Sequence, residues 1–301
     1  MNYYNEIKNK LIDNEVYKRV KDYSKNRNDL NTYYEVGKLL IEAQGGEDRA
    51  KYGDGLIKGY SIKLTNEMGK KYDITILKRM RQFYLLILKG ATMSHQLNWS
   101  HYVEILKFND INEINYYIYI TESYNLSVRE LRERIKNKEY QRLDDNTKLK
   151  LVNKEELDIR DSIKNPIVIK DRLGIDKENI SERILKDLIL EDLDNFLLEL
   201  GEGFTYIRNE YKIKIGNTYN YIDLLLFNYI YNCFIVIELK VCELKKEHIG
   251  QIEVYMNYID KHIKSINQDK TIGIIISRRD NHYYIEYSSD KRILTREYII
   301  S

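Results

Sequence analysis

Near Ser181 the spacing of apolar residues changes period, and that change limits the folds open to this chain more than any other feature. Upstream, Val36, Leu39, Leu40 and Ala43 fall on one helical face that ends at Gly45-Gly46. A second helix is predicted over residues 55–68, and a third starts at Asp73 as cap with Ile76, Leu77, Met80, Phe83 and Tyr84 on one side. Leu97 to Leu106 reads as another helix, and Ser127-Val128-Arg129-Glu130 is a capping box ahead of a charged helix reaching about Arg142. Downstream, one helix is predicted over 181–200, with Leu185, Ile189, Leu193 and Phe196 on its stripe and Gly201 as its stop. The pattern then turns strand-like at 204–208, 211–215, 221–227 and 234–240, passes through a helix at 246–261, and ends in a strand at 271–276. Such a chain is helical first and a mixed, helix-flanked sheet second.

The 301 residues are about two domain lengths, enough for two cores without staples. With 43% apolar and 32% charged residues, and only 14 Gly and one Pro, a structureless or low-complexity chain is excluded. Residues 143–178 are polar, weakly periodic and contain that single proline, Pro166, so they read as a linker. The expected organisation is a helical domain over 1–142, a linker over 143–178 and an α/β domain over 179–301, an α+β architecture overall. No apolar run is long enough for a signal h-region or a membrane span, which sets a cytoplasmic expectation with no membrane partner. Cys233 and Cys242 stand apart from any ligand-spaced His or Cys and read as free thiols. Of the aromatic residues 28 are Tyr, a compositional skew to which the sequence assigns no collective function.

Chemistry enters where charge interrupts an apolar strand. Glu238 and Lys240 share a face at the end of Phe234-Ile235-Val236-Ile237-Glu238-Leu239-Lys240, and Asp223 interrupts Tyr221-Ile222-Asp223-Leu224-Leu225-Leu226-Phe227. Glu238 and Lys240 alone also fit a strand that ends in a surface ion pair. A second carboxylate on a hairpin-neighbouring strand changes the balance, because unpaired buried charge is costly. Two carboxylates and a lysine suit a divalent-metal phosphodiesterase, with Mg²⁺ on the carboxylates and the lysine orienting or helping to deprotonate water once the pocket lowers its pKa. Glu182 extends its helix stripe by one step and is either an outer metal ligand or an acidic first-turn residue favoured by the helix dipole. Gln251 and Tyr255 lie one helical turn apart and either touch phosphate or the lysine, or form an ordinary helix surface.

The total charge of +2 conceals a split of 24 basic against 19 acidic residues over 1–140 and 25 against 28 over 141–301. Residues 58–89 carry eight basic residues and two acidic ones around a predicted helix-turn-helix. Lys78, Arg79 and Arg81, with Lys70 and Lys71, are the candidate DNA contacts, weighed against a solvated helix face.

The stretches FLLELG, IDLLLF, VIELKV, HIGQIEVYMNYID and TIGIIIS resemble the PD-(D/E)XK nuclease domain of the YhcG family, in the restriction-endonuclease-like superfamily. YGDGLIKGYSIKLTNEMGKKYDITILKRMRQFY, LNWSHYVEIL and NLSVRELRERI resemble that family's helical N-terminal domain. The resemblance implies a restriction-endonuclease-like α/β domain with Asp223, Glu238 and Lys240 as the catalytic Asp, Glu and Lys, and Gln251 and Tyr255 as the accompanying Gln-x-x-x-Tyr. The Leu239 carbonyl and Glu182 would complete a site for Mg²⁺ or Mn²⁺. It implies DNA as substrate and is compatible with action as a homodimer; RNA stays open because the chemistry acts on a phosphodiester and does not itself read the sugar. Two departures stand out: Cys242 in place of an expected Gly, and Lys186 where family members often carry Glu. The rival reading is a nucleic-acid-binding or assembly protein that keeps the nuclease fold without turnover.

Overall fold

The computed structural model describes residues 2–20, 25–46, 54–172, 174–175, 180–279 and 290–301. Two compact units divide at Tyr140 and Gln141. In the first, α1 (Tyr3–Val20), α2 (Lys25–Ala43), α3 (Asp54–Met68) and α4 (Ile74–Leu88) share a core of Ile7, Leu11, Val36, Leu40, Ile57, Leu64, Leu77 and Met80. The helical spacing read from the sequence supplies these side chains. α2 and α4 approach closely because Gly37 has no side chain; a Cβ there would lie 2.2 Å from the Met80 carbonyl oxygen. Asp73 caps α4 by accepting from the backbone N–H groups of Thr75 and Ile76. A single 3-10 turn, Lys70–Tyr72, joins α3 to α4.

The unit continues through α5 (Trp99–Ile105), α6 (Ile111–Ser123) and α7 (Val128–Lys136). Capping boxes at Asn98/His101 and Ser127/Glu130 start α5 and α7. Trp99 packs its ring edge-on to Phe83 and Tyr33. Buried carboxylates here are tied down: Arg132 binds Glu104 at 2.7 Å, and Tyr116 donates to Glu139 at 2.7 Å with Arg134 at 3.2 Å. The Arg132 guanidinium accordingly holds the Glu104 carboxyl below its ordinary value.

The second unit comprises α8 (Asp145–Asn153), α9 (Ile159–Ser162), β1 (Ile167–Ile169), α10 (Glu182–Glu191), α11 (Leu193–Leu200), β2 (Phe204–Ile215), β3 (Thr218–Asn228), β4 (Cys233–Glu243), α12 (Lys246–His262), β5 (Asp269–Arg279) and β6 (Ile293–Ile300). Among the described residues the strands form one sheet in the order β1-β6-β5-β4-β3-β2. The β2–β3 and β3–β4 pairs are antiparallel, and β4–β5, β5–β6 and β1–β6 are parallel, giving the mixed sheet expected. α12 makes the crossover that a parallel β4–β5 pair requires. Ile235, Ile237 and Leu239 pack towards α10 and α11, whereas Val236 packs with Ile252, Met256 and Ile259 of α12. Coverage of both faces is why β4 reads as a nearly continuous apolar run.

Four sequence expectations change. Residues 143–178 are more than a linker: they supply α8, α9 and β1, and β1 closes the sheet by pairing Ile167 with Tyr298. The predicted helix over 181–200 is two helices, because Asp192 leaves helical geometry (φ −128°, ψ 54°) and pairs with Arg172. The strands predicted at 204–208 and 211–215 are one strand, β2, with a register shift between Tyr206 and Arg208 and a left-handed residue at Glu210 (φ 47°). β6 is an additional strand. The buried Glu199 of α11 accepts from both terminal nitrogens of Arg142 and from the Val168 backbone N–H, fastening β1 to α11.

Candidate active site

β3 and β4 pair from Asn228↔Cys233 up to Leu224↔Ile237. Continuing that register by one step would set Asp223 opposite Glu238. Instead the Leu239 backbone N–H donates to Asp223 Oδ2 at 3.0 Å. A side chain thus takes a hydrogen bond that continued antiparallel pairing would have made, and the strands part at the point where the charges stand. Leu239 itself pairs with Ile276 of β5.

Glu238 is 3% exposed and Lys240 8%. Lys240 Nζ donates to Glu238 Oε1 at 2.8 Å, and Gln251 Nε2 donates to the same oxygen at 2.9 Å. The same Gln251 Nε2 donates to the Tyr255 hydroxyl at 3.0 Å, so one half-buried amide of α12 ties Glu238 to Tyr255. Glu238 Oε2 has no hydrogen-bond partner among the described residues. Burial, followed by the negative charge of Asp223, pushes the Glu238 carboxyl up to about 7. A buried carboxylate oxygen without a donor, in a group that also feels the charge of a second carboxylate, is a deficit of positive charge. Oxygen donors of this kind suit a hard divalent cation, which accepts one or two carboxylates with water and phosphate oxygens making up the shell.

The structure gathers Asp223, Glu238, Lys240, Gln251 and Tyr255 at one end of the sheet. Glu182, in the first turn of α10, places Oε1 3.7 Å from Lys240 Nζ. No group of three or more His, Cys, Asp or Glu side chains forms a metal cage among the described residues, so Glu182 stands as a neighbour of the lysine. The expected lowering of the Lys240 pKa is not met. Burial does press against its charged form, yet Glu238, Glu182 and Asp223 outweigh that effect and raise its pKa, so Lys240 is an ammonium here.

Sequence reasoning missed Lys186 and Glu210 as a pair. Lys186 of α10, only 13% exposed, reaches Glu210 Oε1 at 2.8 Å and Asp223 Oδ1 at 3.4 Å. Burial opposes its charge, and Glu210 and Asp223 more than restore it. Lys186 was visible as a departure from the family pattern; its partner depends on the irregularity in β2, for which the sequence carries no signal. His248 is a second omission. Buried at the start of α12, it accepts from the Lys245 backbone N–H through Nδ1, and burial followed by the charge of Lys240 lowers its pKa.

In the helical unit Lys78, Arg79 and Arg81 lie on α4, half-buried. Arg81 donates to Gln44 at 3.2 Å, and Lys71 pairs with Glu15 at 2.6 Å. Lys70 opens the 3-10 turn before α4. No helix among the described residues is long and apolar enough to cross a membrane.

Residues 160–300 match the YhcG PDDEXK nuclease domain, and residues 9–142 match the DUF1016 N-terminal domain. A protein of Escherichia coli (strain K12) named "Putative nuclease YhcG" is 27% identical over 282 residues, which cover 81% of this chain and 75% of that one. Among solved structures, a repair endonuclease from Pyrococcus abyssi is similar at 19% identity with a TM-score of 0.30, covering 41% of this chain and 49% of its own. EndoMS in a dsDNA2 complex gives the same identity and TM-score over 41% of this chain and 48% of its own. The chain therefore spans about half the length of these two structures.

Proposed function

Because the chain belongs to the YhcG family of PD-(D/E)XK nucleases, we propose that it is a Mg²⁺- or Mn²⁺-dependent endonuclease that hydrolyses DNA phosphodiester bonds at Asp223, Glu238 and Lys240. The observation that carries this reading is the buried, partnerless Oε2 of Glu238 beside Asp223, with Lys240 fixed on the other oxygen of the same carboxylate. Asp223 and Glu238 would hold the ion, with the Leu239 carbonyl as a further oxygen donor, while Glu182 stands beside Lys240. A bound divalent ion would lower the pKa of water and offset charge on the phosphate.

The protein groups divide the remaining work. Lys240, kept charged by three carboxylates, offers N–H donors towards the attacking water and the phosphate oxygens. Gln251 fixes the Glu238 rotamer by donating to Oε1, and Tyr255 holds Gln251 from behind. Asp223 is positioned by the Leu239 backbone N–H, so its carboxylate is oriented before any substrate arrives. Lys186 places a second fixed positive charge on the Asp223 side, where a phosphate would also be attracted.

The test is cleavage of supercoiled, linear, forked and four-way DNA by wild type, Asp223→Ala and Lys240→Ala, with Mg²⁺, with Mn²⁺ and with chelator. Cleavage that requires the divalent ion and is lost in both variants supports the assignment; equal cleavage by all three proteins overturns it. The contact between Lys186 and Asp223 favours one rival, a nucleic-acid-binding module in which that lysine replaces the cation. Calorimetric titration separates the two: carboxylate-dependent Mg²⁺ binding belongs to the nuclease, and no binding belongs to the module.

A further inference from the structure

The β2–β3 hairpin extends beyond the last β3–β4 rung, so, among the described residues, 218–222 pair with β2 alone. Its two faces differ. Ile213 and Ile222, with Tyr211 and Ile215 beside them, turn into the core packed against α12. The opposite face carries Lys212 and Lys214 from β2 and Tyr219 and Tyr221 from β3, which the register pairs as Lys212↔Tyr221 and Lys214↔Tyr219. Tyr219 is 53% exposed and Tyr221 52%. Lys212 Nζ lies 3.9 Å from the Tyr219 ring centroid and Lys214 Nζ 5.8 Å from it.

Two adjacent aromatic rings left in water on a regular ribbon forgo the burial that aromatic side chains normally contribute. The cations beside them specify the chemistry of a partner: flat π-faces for the rings and a series of anions for the ammonium groups. Nucleic acid supplies both. The spacing narrows it further. Tyr219 and Tyr221 are two residues apart, about 6.8 Å along an extended strand. Bases within a duplex strand stand about 3.4 Å apart and keep their faces occupied by their neighbours, so only an unstacked strand can offer a face to each ring. Tyr221 is also two residues from Asp223 along β3, about 6.8 Å of strand, so the ribbon runs up to the parting of β3 and β4, where the alternation breaks and Ile222 and Leu224 turn into opposite cores. The acidic residue at that junction, Glu210, is already neutralised by Lys186.

We propose that Lys212, Lys214, Tyr219 and Tyr221 form a stacking platform for an unpaired nucleic-acid strand and lead that strand to Asp223. The inference rests on the nuclease reading for the presence of a scissile strand, and it adds a substrate class: ends, flaps, forks or loops that expose unpaired nucleotides.

The test is fluorescence anisotropy of the full chain in chelator, with a labelled oligothymidine, the same length of abasic strand, and a blunt duplex. The tyrosines are exposed, so their replacement leaves the core intact; unchanged thermal unfolding verifies this. Tyr219→Ala/Tyr221→Ala is expected to weaken oligothymidine binding by about tenfold or more, since each stacked base contributes at least about fivefold. Tyr219→Phe/Tyr221→Phe should stay within about twofold of wild type, and the abasic strand should not distinguish wild type from the alanine pair. Lys212→Gln/Lys214→Gln should weaken all strands and flatten the salt dependence. Unchanged oligothymidine binding by the alanine pair overturns the platform, and so does an equal loss for oligothymidine, abasic strand and duplex. Cleavage is scored separately. If Asp223→Ala is inactive while the alanine pair binds and cuts as wild type, the platform fails and the nuclease stands; if Asp223→Ala cuts as wild type, the nuclease reading fails.

Discussion

Glu199 and Glu238 are both buried carboxylates of the same unit, at 5% and 3% exposure, yet their surroundings differ. Glu199 has both oxygens engaged, by the two ends of the Arg142 guanidinium and the Val168 N–H. Glu238 has one oxygen crowded with donors and the other with none. A carboxylate saturated by the protein fastens elements together. One left half-satisfied keeps coordination capacity, and the fold tolerates the cost of burying it. Glu104 and Glu139 in the helical unit belong with Glu199.

The contrast is open to attack by mutation. Glu199→Ala is expected to have the largest effect, a loss of about 3–5 kcal/mol of stability, because Arg142 keeps a buried charge without its partner. Denaturant unfolding measures this, and activity per folded molecule should be unchanged. Lys240→Ala should reverse the pattern, lowering kcat by about a hundredfold to a thousandfold, in line with removal of one preorganised charge from a reacting centre. A destabilisation as large as that of Glu199→Ala would place Lys240 with the fasteners. Third, Mg²⁺ at a hundred times its Kd should stabilise wild type by about 2.7 kcal/mol in thermal unfolding. Glu238→Gln should abolish that shift, and persistence of the shift would show that Glu238 is no ligand.

The smallest effect concerns Lys186. If it occupies charge space beside Asp223, Lys186→Met should tighten Mg²⁺ binding by up to about tenfold in calorimetry, while weaker binding would make it a support that holds Asp223 in place.

What the sequence made legible follows from the cost of burying charge. Asp223, Glu238 and Lys240 stand out because charged residues interrupt runs that both faces of the sheet cover, and the Gln251–Tyr255 spacing marks one helix face. β1 escapes notice because three residues, Ile167–Ile169, carry too little pattern. β6 escapes because Arg296 and Glu297 interrupt its alternation. The break at Asp192 is invisible because the apolar stripe continues across it through Leu193 and Phe196. The Lys186–Glu210–Asp223 contact joins three elements at a left-handed residue of β2, and no local spacing announces such a meeting. The strand that parts from its neighbour at Asp223 is likewise a property of pairing, seen only once the register is known.

The order of the strands also sets an order of assembly. β2, β3 and β4 are successive antiparallel neighbours within residues 204–243, so the strands that carry Asp223, Glu238 and Lys240 close through short loops. The far edge depends on Ile167 meeting Tyr298, a contact between distant parts of the chain. Loop closure makes local contacts fast and distant ones slow. Pulse-labelling hydrogen exchange should therefore find the amides of Leu224 to Leu226 protected before those of Tyr298 to Ile300, with the chemical end of the sheet taking shape while its opposite edge is still open.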